Sequence, residues 1–156
     1  MNSSLLTRPV VSQSPAETEG IGAKIGANLR GGETVELISD LGGGKTTFVR
    51  GLARGLGSQD IVASPSFTIS RQYKAGDLVL YHFDFYRLSE AGIMAADLAE
   101  LIDDSQAIIV VEWGDIVKNV LPGKRLTIRF ETAGETIRKL TFACPESLSY
   151  LALKAV

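Results

Sequence analysis

The sequence predicts an α/β domain whose central strands run parallel, with helices on their faces and an antiparallel hairpin near the end. Three observations carry that expectation. The apolar run Val35–Ile38 passes directly into Ser39-Asp40-Leu41-Gly42-Gly43-Gly44-Lys45-Thr46-Thr47, and this glycine-rich loop passes into a segment with apolar residues at helical spacing. A second apolar run, Ala107–Val111, has the length of a buried strand. Two alternating stretches, Leu126–Phe130 and Ile137–Phe142, flank Ala133-Gly134 as the arms of a hairpin flank its turn.

Taken in order, the first dozen or so residues are polar and expected to be poorly ordered at the start. Ser14-Pro15-Ala16-Glu17 reads as a capping box with proline at the first helical position. Ile21, Ile25 and Leu29 continue it as one helical stripe, which Gly31-Gly32 should end. After the strand and the glycine loop, Thr46–Leu56 places Phe48, Leu52 and Leu56 on one face, and Gly57 closes that helix. Ile61–Ala63, Thr68–Tyr73 and Leu78–Phe85 read as strands. Ala95–Ile102 reads as a helix with Leu98, Leu101 and Ile102 inward. Leu148–Ala155 reads as a terminal helix.

At 156 residues, the chain is expected to form a single domain over residues 1–156. It is 45% hydrophobic and 22% charged, which suits a globular protein rather than a disordered one. The single cysteine, Cys144, excludes an internal disulfide framework and a cysteine-rich zinc site, and it fits a reducing cytoplasm. No apolar run reaches the ~18 residues of a membrane span. No basic stretch leads into a long apolar core at the N-terminus, so no signal peptide is expected. The net charge of −2 argues against a surface that grips nucleic acid throughout.

The loop carries the clearest chemistry. Gly42, Gly43 and Gly44 can adopt positive φ and turn backbone N–H groups onto an oxyanion, with the positive end of the following helix aimed at the same place. Lys45 supplies a mobile charge for β- and γ-phosphates, Thr46 a hydroxyl for Mg²⁺, and Thr47 a further hydroxyl and N–H. Ser39 occupies the position where the phosphate-loop pattern G-x-x-x-x-G-K-[ST] has its first glycine. That position lies at the strand exit, away from the cradling amides, and serine fits there if φ is negative. The loop therefore reads as functional but slightly irregular.

Four further features bear on function. Glu112 follows the apolar run of Ala107–Val111, at the sheet edge where the loop opens. It could hold Mg²⁺ through water or orient an attacking water, with an ordinary loop glutamate as the plainer alternative. In Tyr81–Leu88, Tyr81, Phe83 and Phe85 fall on one side, and His82, Asp84 and Tyr86 on the other. Asp84 in that setting needs a partner: Arg87, a hydroxyl or a metal site. His82, the only histidine, fits a core or surface position better than a metal ligand. Ser64 and Ser66 are candidates for sensing a γ-phosphate, an ordinary turn being the alternative. Arg50 and Arg54 are expected on a solvated helix face, with contact to RNA phosphates or a partner's acids as the alternative. No N-K-x-D guanine signature and no G-x-G-x-x-G turn is present, which favours adenine.

The segments D-L-G-G-G-K-T-T-F-V-R-G-L-A-R-G-L-G, S-P-S-F-T, Y-H-F-D-F-Y-R-L and V-E-W, in this order and spacing, resemble the bacterial TsaE (YjeE) family from about Glu17 to Phe142. The resemblance implies a P-loop NTPase-like three-layer α/β fold with a mixed sheet. It implies a small ATPase that binds ATP and ADP and works with the TsaB and TsaD proteins to place threonylcarbamoyl on adenosine 37 of tRNA. Contact with tRNA would be indirect, and no role at a membrane or on DNA is implied. It makes Thr46 and Glu112 magnesium-associated, Asp84 important for hydrolysis, and Asp115 a residue near the nucleotide. Four positions depart from the family pattern. Ser39 replaces the first glycine, Gly43 stands where alanine is common, Ser66 where threonine is common, and Gly114 where proline is frequent.

The expected function is thus an Mg-dependent ATPase, slow alone and dependent on its partners, with Lys45, Asp84 and Glu112 in the catalytic roles. A nucleotide-gated binding module with negligible turnover is the alternative. A small P-loop kinase ranks last, because no arginine-rich lid segment is visible in the sequence.

Overall fold

The computed structural model describes residues 5–40, 42–90 and 92–152. The strands are β1 (Leu6–Ser12), β2 (Thr34–Ile38), β3 (Ser70–Ala75), β4 (Leu78–Asp84), β5 (Ala107–Glu112), β6 (Leu126–Thr132) and β7 (Arg138–Cys144). The helices are α1 (Pro15–Gly26), α2 (Lys45–Leu56), α3 (Ile93–Ile102) and the short α4 (Ser149–Ala152). All seven strands form one sheet in the order β1-β7-β6-β2-β5-β4-β3. The four middle strands β6, β2, β5 and β4 are parallel to one another, and the outer pairings are antiparallel. This is the mixed α/β sheet the sequence predicts.

Alternation along β5 shows how the layers are built. Ile108 and Val110 enter a core shared with Ile21 and Ile25 of α1 and Phe48, Val49 and Leu52 of α2. Ile109 and Val111 face the other way, toward Phe83, Phe85, Leu98 of α3, Val117 and Leu121. A strand buried on both faces is apolar at successive positions, which is why this run was readable as sequence. β6 differs: Leu126, Ile128 and Phe130 are buried, while Arg129 and Glu131 face solvent. The antiparallel end of the sheet therefore has one open face.

Several boundaries depart from expectation. The start is not irregular through residue 12: Leu6–Ser12 pairs with β7 along its full length. Its inward positions are Arg8, Val10 and Ser12 and it contains Pro9, so it carries no apolar alternation; proline is tolerated because the strand lies at the sheet edge. Residues 1–4 lie outside the described residues.

The Ser14 cap forms as expected, its hydroxyl accepting the Glu17 N–H at 3.1 Å. The Glu17 carboxylate reaches back to the N–H of Gln13 at 2.7 Å. The helix ends at Gly26 rather than at Gly31-Gly32, because Asn28 and Leu29 close turns onto the carbonyls of Ile25 and Gly26. Leu29 is buried nonetheless.

Ile61–Ala63 is extended but pairs with no strand. Its polar link is to the Tyr73 hydroxyl, which accepts from the Ala63 N–H and donates to the Ala63 carbonyl, and Ile61 is 92% exposed. Thr68 lies in a turn, so the strand expected over Thr68–Tyr73 begins at Ser70. The terminal helix expected from Leu148 begins instead as a 3-10 turn over Glu146–Leu148, and residues 153–155 of that expectation lie outside the described residues. No described helix is long and apolar enough to cross a membrane.

Candidate functional site

The parallel strands β2, β4 and β5 all end at one edge of the sheet, where open α/β sheets bind their ligands. A cleft of about 310 Å³ opens there. It is lined by Gly42, Gly43, Gly44, Lys45, Thr46 and Thr47 from the loop and the first turn of α2. Ser64 and Ser66, Asp84, Glu112 and Trp113 complete it. Of the residues expected to be catalytic, nucleotide-binding, metal-holding or sensing, the fold brings all but Asp115 to this one cleft.

The loop conformation follows from its glycines. Gly42 and Gly44 have φ of 77° and 96°, a region costly for a residue with a Cβ. Gly44 is also the N-cap of α2, so the unpaired N–H groups of the helix start face the cleft. Ser39 is not among the positive-φ residues, which meets the condition for serine at that position.

Lys45 is buried, with Nζ 3.5 Å from Glu112 Oε1, 3.4 Å from the Ser39 carbonyl and 5.0 Å from the Trp113 ring centroid. Glu112 ends β5 and is buried too. Its second oxygen, Oε2, lies 2.6 Å from Nε2 of His82 on the neighbouring strand β4. A carboxylate beside Lys45 accepts, so Nε2 carries the hydrogen. Nδ1 of His82 is buried with no partner, and in this tautomer it is a bare lone pair rather than an orphaned N–H. His82 is therefore a core histidine, as expected, and it also orients the glutamate.

Asp84 and Glu112 are register partners on β4 and β5, so the two carboxylates stand side by side at the strand ends. Asp84 has found a hydroxyl, the second of the three partners foreseen. Ser66 Oγ donates to Asp84 Oδ2 at 2.9 Å, and the Tyr86 N–H donates to Oδ1 at 3.0 Å. Arg87 stacks instead on Phe67, 4.5 Å from its ring centroid. Ser64 and Ser66 share a hydrogen bond of 2.8 Å.

The chain is strained beside both acids. Ile69 (φ 68°) accepts the Asp84 N–H on its carbonyl at 2.8 Å, and Trp113 (φ 55°) directly follows Glu112. Positive φ at a β-branched and at an aromatic residue is uncommon and tends to occur where a fold must aim a functional group.

Asp115 does not line this cleft. It is exposed on the 3-10 turn Gly114–Val117 and borders a small neighbouring cleft with Glu36, Leu37 and Trp113. The left-handed turn at Trp113 points the indole, not Asp115, at the loop. Trp113, which lines the cleft, and His82, which holds Glu112 from within the core, are thus the residues that sequence reasoning did not assign to the site. Trp113 had a signal, since it directly follows Glu112. His82 had none, because its contact with Glu112 depends on strand register.

Arg54 lies on the solvated face expected for it, with NH1 3.6 Å from Glu19 of α1. A second cleft, lined by Pro15, Thr18, Glu135, Thr136 and Arg138, shares Gly42, Gly44 and Thr47 with the first. Among the described residues, no group of three or more His, Cys, Asp or Glu is arranged to hold a metal.

The family profile described as "Threonylcarbamoyl adenosine biosynthesis protein TsaE" matches residues 12–140. A protein of Bacillus subtilis named "tRNA threonylcarbamoyladenosine biosynthesis protein TsaE" is 40% identical over 132 residues, which are 83% of this chain and 80% of that protein. The identically named protein of Treponema pallidum is 38% identical over 133 residues, 85% of this chain and 98% of that one. A crystal structure of YdiB from Bacillus subtilis superposes with a TM-score of 0.79 at 32% identity, covering 97% of this chain and 95% of that one.

Proposed function

The chain belongs to the TsaE family of threonylcarbamoyl adenosine biosynthesis proteins, and on that footing we propose that it is an Mg-dependent ATPase serving tRNA threonylcarbamoyladenosine formation. One observation carries the proposal: Asp84 and Glu112, adjacent in register, share a cleft with the glycine loop, Lys45 and Thr46. Loop amides, a lysine, a hydroxyl and two carboxylates are the parts that phosphoryl transfer to water needs.

The donor set suits magnesium. Thr46 and Glu112 offer hard oxygen atoms without a dedicated protein cage, and Mg²⁺ is commonly held by one or two carboxylates together with substrate phosphates. When bound, it would neutralise charge developing on the phosphates. The chain's own residues do the rest. The amides of Gly42–Thr46 and Lys45 receive the β- and γ-phosphates. Lys45 must turn from Glu112 toward the phosphate, and His82 keeps the carboxylate in place as it does so. Asp84, fixed by Ser66 and the Tyr86 N–H, is placed to orient a water molecule. Through Ser66 it links the Ser64–Ser66 turn to the γ-phosphate position. Gly42, Gly44 and Thr47 line both clefts, so the second cleft is continuous with the proposed phosphate site. The nucleoside is therefore assigned to the second cleft, beside Thr18 and Arg138.

The proposed partners are the TsaB and TsaD proteins, with hydrolysis resetting the complex between turnovers and tRNA held mainly by the partners. The test is phosphate release from Mg-ATP by the purified chain, alone and with both partners. Stimulation that disappears in Lys45→Ala and Glu112→Gln supports the reading. Nucleotide retained by the full complex with no phosphate release would leave a nucleotide-gated binding module in its place.

A further inference from the structure

The three glycines of the loop are glycines for two different reasons. At Gly42 and Gly44 the reason is the backbone: φ is positive at both, and a Cβ on either would meet nothing within 4 Å. At Gly43 the reason is space. Its φ lies outside the positive range, so any residue could adopt its backbone. A Cβ there would lie 1.7 Å from Ser39 Oγ, 3.0 Å from Ser39 Cβ and 3.3 Å from the Asp40 carbonyl oxygen.

Ser39 is itself fixed at both ends. Its hydroxyl donates to the Asp40 carbonyl at 2.8 Å, and its own carbonyl accepts from Lys45 Nζ at 3.4 Å. Rotating the hydroxyl away from a new Cβ at residue 43 would break the bond to Asp40. It would also leave Ser39 Cβ at 3.0 Å, tighter than most such contacts, so that residue 39 must give way. Relief would then require residue 39 to move, and the carbonyl beside Lys45 would move with it.

We propose that Ser39 is a positioning residue of the phosphate loop, coupled to Gly43 so that only one of the two positions can carry a side chain. The Ser39 hydroxymethyl group fills the space a residue-43 side chain would need, and it braces the loop from the strand exit. This proposal rests on reading the cleft as a nucleotide site. It turns the irregular first position of the loop into one half of a matched pair.

The experiment is a double-mutant cycle on the full chain, measuring affinity for a fluorescent ATP analogue with Mg²⁺ and the midpoint of thermal unfolding. Gly43→Ala is expected to weaken binding by about tenfold or more, as overpacking does at a tight site. Ser39→Gly removes the brace and is expected to weaken it by roughly threefold. The double variant is expected to return to within about threefold of the parent, a non-additivity that independent sites do not show. Should Gly43→Ala fail to fold, a folded and binding double variant gives the same conclusion. Gly43→Ala binding as well as the parent, or a double variant no better than Gly43→Ala, would overturn the coupling. A parent chain that binds no nucleotide would overturn the proposed function instead. The coupling would then be read in the unfolding midpoints, lowered in Gly43→Ala and restored in the double variant, and additive midpoints would refute it.

Discussion

Glu112 is gripped by two residues that approach from different directions in the sequence. Lys45 comes from the start of α2, His82 from the middle of β4, and neither exposes its side chain. Removing the histidine leaves one carboxylate oxygen buried without its donor. His82→Leu should therefore cost about 1–3 kcal/mol, read as a lowered denaturant midpoint. It should also slow phosphate release more than a distant substitution of equal stability cost.

Tyr150 provides a pH-dependent counterpart away from the cleft. Its hydroxyl donates to Glu33 at 2.8 Å. Burial first, and then that carboxylate, push the phenol up from 10.0 to about 12. The fold favours the neutral phenol, so this contribution is intact below pH 10.0 and lost as the pH climbs toward about 12. Tyr150→Phe should flatten the fall in stability over that window, as followed by unfolding midpoints at a series of pH values.

At this scale the sequence was legible where chemistry is contiguous. The loop from Gly42 to Thr47 and the acid closing Val111-Glu112 were both readable in the string, and they line one cleft. It was opaque where register decides, since nothing in the string places His82 beside Glu112 or Ser39 beneath Gly43.

Between elements, the tightest fit is that of α1 on α2. A Cβ on Gly22 would lie 2.4 Å from the Phe48 carbonyl oxygen, and one on Gly26 2.1 Å from that of Leu52. From the other helix, a Cβ on Gly51 would lie 1.9 Å from the Glu19 carbonyl oxygen and one on Gly55 2.0 Å from that of Ala23. Backbones meet directly, and α2 carries the glycine loop at its start, so this packing sets the direction in which the loop points. Gly20, on the same helix as Gly22, has nothing within 4 Å of its missing Cβ. The two positions should respond with opposite sign. Gly20→Ala should stabilise by about 0.5–1 kcal/mol through helix propensity. Gly26→Ala should destabilise by about 1–3 kcal/mol through overpacking and also weaken nucleotide binding. Chemical denaturation of the two variants is the measurement.

Elements buried on both faces, such as Ala107–Glu112, were visible as apolar runs. The edge strand Leu6–Ser12 was not, because a half-exposed strand with Pro9 in it needs no such run. Ile61–Ala63 shows the converse: three residues with strand composition remain outside the sheet when only a tyrosine hydroxyl pairs with them.

Across the whole molecule, the parallel middle of the sheet is assembled from distant parts of the chain. β2 leads into the glycine loop, yet its two neighbours, β5 and β6, both come much later, with Thr34 beside Ile109 and Val35 beside Leu126. A chain ended after Asp104 contains the entire loop but neither neighbour. It should bind no Mg-ATP, which equilibrium binding with the fluorescent analogue would check against the full chain. The edge strand β1, at the start of the chain, waits longer still for Arg138–Cys144. During synthesis at roughly 5–20 residues per second, the loop would leave the ribosome on the order of 4–15 s before its strand could be flanked on both sides. Until then the nascent chain carries the whole glycine loop with no pocket behind it, so on the proposed reading it would not draw on the cell's nucleotide before its last strands are made.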